Sequence, residues 1–346
     1  MHKFSRREAI MAAAAGIAWI EDAIGAVAPA LNASKFVRIG GLDQWVAIEG
    51  KSNTPLVLFL HGGPGEAMSP FLDLFLPYEN DFTWAIWDQR GAGKTYGRNG
   101  GDATKGMDLE QFIRDTIELA LYLRQSFSRR KILLVGHSWG AALGLQVAKR
   151  RPDLFYAFVG TGQPVSNELG LLSQERYARS VLTENNDAAG LQALDEAVRL
   201  PFTDPKRRFA TRKLLFGSED GTFLAREDAF MGPKPQPTQG AVADWMGGYT
   251  FTSDVLVPKI IGKELVDIVG FDIPLPFIVI QGRDDRIAPT DVAHDYFEKV
   301  KAPAKAFTEI RGGHFAVYTN QQEFLAALLQ QALPHIQQSN YGRGGA

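Results

Sequence analysis

Hydrophobic positions along this chain switch between two periods. Gln44–Glu49 alternates around Trp45, Val46 and Ile48 and predicts a strand. Leu56–Leu60 is an unbroken apolar run between turn residues, the pattern of a strand covered on both faces. Phe82–Trp87, Ile132–Val135, Phe277–Ile280 and Ala306–Ile310 read as further strands. Between them the period lengthens. From Asp108 to Phe127, apolar residues recur at i, i+3, i+4 and i+7 (Leu109, Phe112, Ile113, Thr116-Ile117, Ala120-Leu121), with Asp108 as the N-cap of a helix. Trp139–Arg150 predicts a second helix, ended by Pro152, and Gln321–Leu333 a third. Strands that alternate with helices imply an α/β fold, a mostly parallel sheet with helices on both faces.

Two stretches leave that rhythm. Between about Pro164 and Asp272 strand signals fade and helix-like segments separated by Pro and Gly take over, with a loop by composition at Gly232-Pro233-Lys234-Pro235-Gln236-Pro237. The expected organisation is therefore a core over 34–164 and 271–336, a helical cap over 165–270 and a flexible tail over 337–346. The first 33 residues read as an export signal. A basic start is followed by the apolar stretch Ala9–Ile20 and a small-residue exit near Ala28, Ala30 and Ala33. Twelve apolar residues reach only about 18 Å as a helix, too short to span a bilayer comfortably. Ser5-Arg6-Arg7 resembles the twin-arginine signal of bacterial exported proteins. The expectation is a periplasmic or secreted protein with no stable membrane insertion after processing.

Composition narrows the chemistry. The 346 residues include no cysteine, which excludes disulfides, thiolate metal sites and a cysteine nucleophile. Lys and Arg number 37 against 39 Asp and Glu, so no nucleic-acid partner is expected from bulk charge. No metal or cofactor is needed for the chemistry that follows, and oligomeric state is left open.

That chemistry centres on Gly136-His137-Ser138-Trp139-Gly140, a G-x-S-x-G turn after a buried strand and before a helix. So sharp a turn needs small residues two positions either side of the serine. A nucleophilic Ser138 requires a base, and there are six histidines. His2 lies in the leader, His335 near the end, and His294 in a helix among charged neighbours. His137 adjoins Ser138 and reads as a packed residue; His61 closes a strand and reads as structural. His314, on the glycine loop Arg311-Gly312-Gly313-His314 past the last strand, is the base by elimination and position. Its orienting carboxylate is Asp285, in Gln281-Gly282-Arg283-Asp284-Asp285-Arg286-Ile287-Ala288-Pro289, with Asp284 a turn residue. The expected oxyanion donors are the backbone N–H groups of Trp139 and Gly63. Gly91-Ala92-Gly93-Lys94-Thr95 imitates the end of a phosphate-binding loop, but Asp88 stands where that loop needs glycine and would repel phosphate.

Together, His61-Gly62-Gly63-Pro64-Gly65, Trp87-Asp88-Gln89-Arg90-Gly91-Ala92-Gly93-Lys94-Thr95 and Gly136-His137-Ser138-Trp139-Gly140 resemble the proline iminopeptidases and their α/β-hydrolase relatives. The resemblance spans Val37–Pro164 and Phe271–Pro334. It implies a Ser138, Asp285, His314 triad working through an acyl-enzyme, a helical cap over the site, and cap glutamates that bind the free amino terminus of a short peptide or amide. The chain departs from the family in lacking its Trp-x-x-Trp-Glu cap motif and in carrying His137 where glycine is usual. Fifteen Asp and Glu against 12 Lys and Arg over Ser166–Ile268 do not decide the substrate. A carboxylesterase or amidase acting on small apolar esters stays open as the alternative, and a non-catalytic ligand-binding protein as a remote one. A buried carboxylate facing Ser138 would favour the aminopeptidase; an all-apolar pocket would favour the esterase. The aromatics Phe202, Phe223, Phe230, Trp245, Tyr249 and Phe251 are candidates for lining either pocket, or for simple packing.

Overall fold

The structure, a computed structural model, describes residues 31–104, 106–215, 227 and 236–341. The expected export signal therefore lies outside the described residues up to position 30, as do Phe223, Phe230 and the chain beyond 341.

Eight strands form one sheet: β1 Ala33–Ile39, β2 Leu42–Glu49, β3 Leu56–Leu60, β4 Thr83–Trp87, β5 Ile132–His137, β6 Phe155–Thr161, β7 Phe277–Gly282 and β8 Lys305–Ile310. Their spatial order is β1-β2-β4-β3-β5-β6-β7-β8. β1 and β2 pair antiparallel, and β2 is antiparallel to β4. Every pairing from β4 through β8 is parallel. The apolar runs of the inner strands β3, β4, β5 and β7 are continuous because these strands are buried on both faces. In β3, Leu56, Leu58 and Leu60 enter one core while Val57 and Phe59 enter the other. The first core takes in Phe112, Trp139 and Phe158; the second takes in Phe75, Trp84, Tyr318 and Phe324. Burying one such side chain contributes about 1.5–3 kcal/mol, so the alternation fixes the register of each strand.

The helix Leu109–Ser126 starts where its cap predicts, with Asp108 Oδ1 accepting the Gln111 N–H at 2.8 Å. Trp139–Arg150 is helical as expected. Three readings need correction. Ala33–Ile39 and Phe155–Thr161 are strands that periodicity did not single out, the first because it is largely exposed and edges the sheet. The helix expected over Gln321–Leu333 breaks at Ala332 into Gln321–Gln331 and Leu333–Tyr341, since Pro334 cannot donate to an unbroken ladder. That second helix occupies 337–341, so the segment expected as a tail from 337 begins as helix.

Between β6 and β7 the described residues are all helix and loop: Asn167–Glu184, Ala188–Ala197, Pro205–Leu215, Gln236–Ile260 and Leu265–Val269. Side chains from this cover pin it to the core. Trp245 Nε1 donates to Ala67 O at 3.0 Å, Thr252 Oγ1 to Gly91 O at 2.8 Å, and Lys259 Nζ to Met107 O at 2.6 Å. Trp245 and Phe251 thus serve packing, Phe251 lying 5.7 Å from the Tyr96 ring.

Candidate active site

Ser138 sits between β5 and the helix Trp139–Arg150 with φ +53° and ψ −117°, a conformation costly for a residue with a side chain. The flanking glycines make it possible. A Cβ on Gly136 would run into Gly140 O, and one on Gly140 into Leu60 O. The turn aims Ser138 Oγ out at the C-terminal ends of the parallel strands, where ligands of such sheets bind.

Asp285 follows β7 and His314 follows β8, so the sheet order carries both to the same edge. His314 Nε2 lies 2.9 Å from Ser138 Oγ, and His314 Nδ1 lies 2.9 Å from Asp285 Oδ2. The acceptor-only Asp285 carboxylate fixes the tautomer: Nδ1–H donates to it, leaving Nε2 to accept from the serine hydroxyl. Asp285 is itself held by the N–H groups of Ile287 and Ala288 at 2.9 and 2.8 Å and by Gln281 Nε2 at 3.0 Å. The backbone of Asp284 bonds Gly312 O at 3.0 Å and ties the two loops together. Gly162 leaves the room His314 needs, since a Cβ there would lie 2.9 Å from His314 Cε1.

The remaining histidines divide as their settings dictate. His61 Nδ1–H donates to Gly62 O at 2.8 Å and its Nε2 accepts the Gln89 N–H at 3.1 Å. Burial pushes His61 down to about 4, so it stays neutral and holds the loop. His137 is buried against the His314, Phe315 and Tyr318 rings and donates Nε2–H to His314 O at 3.0 Å. Burial, then the neighbouring His314, lower its pKa well below the usual value. It is packed, as expected, and it also anchors the backbone of the loop carrying His314. His294 is exposed, 3.7 Å from Glu298 one helical turn on.

Gln89 joins the three motif loops. Its N–H meets His61, its Nε2 donates to His61 O at 3.2 Å, and its Oε1 accepts Trp139 Nε1 at 3.0 Å. Asp88 accepts the N–H groups of Met68, Ser69 and Lys94 at 3.1, 3.1 and 2.9 Å, which fills its lone pairs with backbone instead of leaving a phosphate cradle. Arg90 and Asp115 form a buried fork-to-fork pair at 2.8 and 3.1 Å behind this layer.

Ser138, Trp139 and Gly63 line one cavity beneath the helical cover. The N–H groups of Gly63 and Trp139 meet no acceptor among the described residues. Aliphatic side chains such as Val165, Val257, Ile260 and Leu265 form one wall, and Arg208 and Arg212 enter from the helix Pro205–Leu215. Near Ser138 stands Glu66. A Cβ on Gly62 would lie 2.5 Å from Glu66 Oε2 and 3.4 Å from Ser138 Cβ, so carboxyl and serine share one glycine's surroundings. Glu66 hydrogen-bonds Glu227 of the cover; desolvation, then the Glu227 charge, raise its pKa well above the usual 4.5.

The periodic and motif signals carry no information on Glu66, Gly162 or the two arginines, and Gln89 lies inside the Trp87–Thr95 motif without any sign there of the bonds it makes. Glu66 does follow His61-Gly62-Gly63-Pro64-Gly65 directly, and that adjacency is the one cue that could have marked it.

Comparison with known proteins places this geometry in context. Residues 57–328 match the alpha/beta hydrolase family. The chain is 27% identical over 314 residues to "Probable aminopeptidase YbaC" of Bacillus subtilis, covering 87% of this chain and 96% of that one. It is 26% identical over 305 residues to the proline iminopeptidase of Neisseria meningitidis serogroup A, covering 81% and 89%. The crystal structure of a proline iminopeptidase from Mycobacterium smegmatis superposes with a TM-score of 0.59 at 20% identity, over 88% of this chain and 98% of that one. The last likeness shows the fold alone.

Proposed function

The chain belongs to the alpha/beta hydrolase family, and from that premise we propose that it is a serine hydrolase of the aminopeptidase type, acting on short peptides or amino-acid amides. Ser138 Oγ attacks the substrate carbonyl as its proton passes to His314 Nε2. Asp285 holds the imidazole and stabilises the imidazolium. The N–H groups of Trp139 and Gly63 receive the oxyanion; each such donor contributes about 2.7–4 kcal/mol to the transition state. His314 then returns the proton to the leaving amine as the C–N bond breaks and an ester to Ser138 remains. Water, deprotonated by the same histidine, releases the acid and regenerates the serine hydroxyl.

One observation carries the choice of an amine-bearing substrate over a simple ester: the hydrogen-bonded carboxyl pair Glu66–Glu227 beside Ser138. Two carboxyls so close share a proton, because both cannot ionise together. An incoming ammonium displaces that proton and meets two anionic acceptors. An ester with an apolar acyl chain would leave the pair desolvated with nothing gained. The names of the relatives agree with this reading, and the Ser5-Arg6-Arg7 leader supports an exported enzyme.

The test compares kcat/KM on amino-acid anilides with that on short-chain nitrophenyl esters, with Ser138→Ala as control. Preference for free-amine anilides, abolished when the substrate amine is acylated, is the expected result. Ester turnover with negligible anilide turnover would replace the aminopeptidase with an esterase.

A further inference from the structure

Arg208 and Arg212 lie one turn apart on the helix Pro205–Leu215 and both line the cavity that holds Ser138. Their Nε atoms are buried and lack a hydrogen-bond partner. Among the described residues no carboxylate forms an ion pair with either guanidinium. Among the described residues, Arg208 Nη2 donates to Asn167 Oδ1 at 3.2 Å. The contrast with their neighbour is direct: Arg207, on the same helix, is locked by Glu175 in a fork of 2.6 and 2.8 Å. The nearby Glu264 carboxylate is already taken by the N–H groups of Asn167 and Glu168 at 2.8 and 3.3 Å. Lys263 lines the same cavity. Burial lowers the pKa of Arg208 to about 10, which leaves it a cation at neutral pH, and burial lowers that of Arg212 too.

A buried Nε–H without an acceptor forfeits its hydration, and a ligand oxygen that reaches it restores the lost hydrogen bond. Two such groups facing one cavity form a site for a planar anion with two oxygens. The aliphatic wall of Val257, Ile260 and Leu265 adds room for an apolar group beside it. Glu66, near Ser138 but not among the residues that line this cavity, is assigned above to the substrate's amine.

Resting on that aminopeptidase reading, we propose that Arg208 and Arg212 bind a carboxylate on the leaving-group side of the scissile bond, so that the preferred substrate is a very short peptide with a free C-terminus and an apolar last residue. The amine end meets Glu66 and Glu227, the carbonyl meets Ser138, and the carboxylate meets the arginines.

The experiment measures kcat/KM of the full chain on two matched pairs. One is alanyl-leucine against alanyl-leucinamide. The other is 4-acetoxybenzoate, which carries a carboxylate on its leaving group and has no amine, against its neutral methyl ester. Wild-type protein is expected to favour each acid over its neutral partner by on the order of tenfold, mostly through KM. Arg208→Gln with Arg212→Gln should bring both ratios to about one while the neutral substrates keep their turnover, which also shows that the variant is folded. Arg212→Lys, which keeps the charge, should retain part of the preference. Wild-type ratios near one, or ratios unchanged in the double glutamine variant, would overturn the proposal. If neither dipeptide substrate reacts but the aryl esters do, the aminopeptidase reading fails, and the benzoate pair alone decides whether the arginines bind the carboxylate.

Discussion

The two walls of the cavity are built on opposite principles. On the sheet side, Ser138, His314 and Asp285 are each fixed by partners: the serine by its turn, the histidine by Asp285 and His137, the aspartate by two backbone N–H groups and Gln281. On the other side, polar groups are left wanting. Arg208 and Arg212 lack a carboxylate partner among the described residues, and Glu66, near Ser138, has its pKa raised by desolvation and by the neighbouring Glu227. The sheet side is arranged for a reaction, with little left to reorganise when substrate arrives. The two groups of residues thus differ in the degree to which their hydrogen bonds are already made.

The strongest way to break this comparison is at the sheet edge. Ser138→Ala should lower kcat by on the order of 10⁴-fold or more and abolish labelling by a serine-directed phosphonate, with the circular dichroism spectrum unchanged. Retained labelling would show that another nucleophile reacts.

Next in size is the acid stability of the layer beneath the serine. His61 has its pKa depressed from 6.5 to about 4 in the folded chain. Its stabilising contribution is present above 6.5 and is lost as pH falls through that window to about 4. The loss amounts to about 3 kcal/mol at most. Denaturant unfolding followed between pH 7 and 4 should show the decline, and His61→Gln should flatten it.

Glu66 carries the opposite sign and sharpens the contrast between the walls. Its pKa is raised in the folded chain, so the stability it lends is full below 4.5 and lost as pH rises through the raised value. Glu66→Gln should therefore raise Tm at neutral pH. The same change should cost on the order of tenfold or more in kcat/KM on free-amine anilides, and leave ester turnover within about twofold. A variant with unaltered anilide preference would remove the carboxyl pair from substrate binding.

The smallest effect belongs to His294, exposed and 3.7 Å from Glu298. His294→Ala should change stability by no more than about 0.5 kcal/mol and activity not at all. Chemical denaturation checks the first and steady-state kinetics the second.

How far these features could be read from the residues follows the same division. Apolar runs and their spacing located six of the eight strands and the two helices that flank Ser138, because burial on two faces leaves a mark in every successive residue. The exposed, edge-forming β1 leaves no such mark. Ser138 was legible because a turn with glycines at fixed offsets constrains the backbone locally, His314 by elimination among six histidines and by its place past the last strand, and Asp285 by its place past the preceding strand. That these three, drawn from stretches up to 176 residues apart, stand within hydrogen-bonding distance of one another is a product of the strand order. No local pattern encodes the meeting of Glu66 with Glu227, or the difference between Arg207, paired with Glu175, and Arg208, which is not. In the sequence, Lys206-Arg207-Arg208 is a uniform basic run. The sequence by itself determined most of the sheet, the sharp turn and which serine, histidine and aspartate are candidates for the site, since periodicity and glycine sterics act over a few residues. Tertiary structure alone decided which charges are satisfied and which still face the cavity, because desolvation and pairing depend on neighbours far away along the chain.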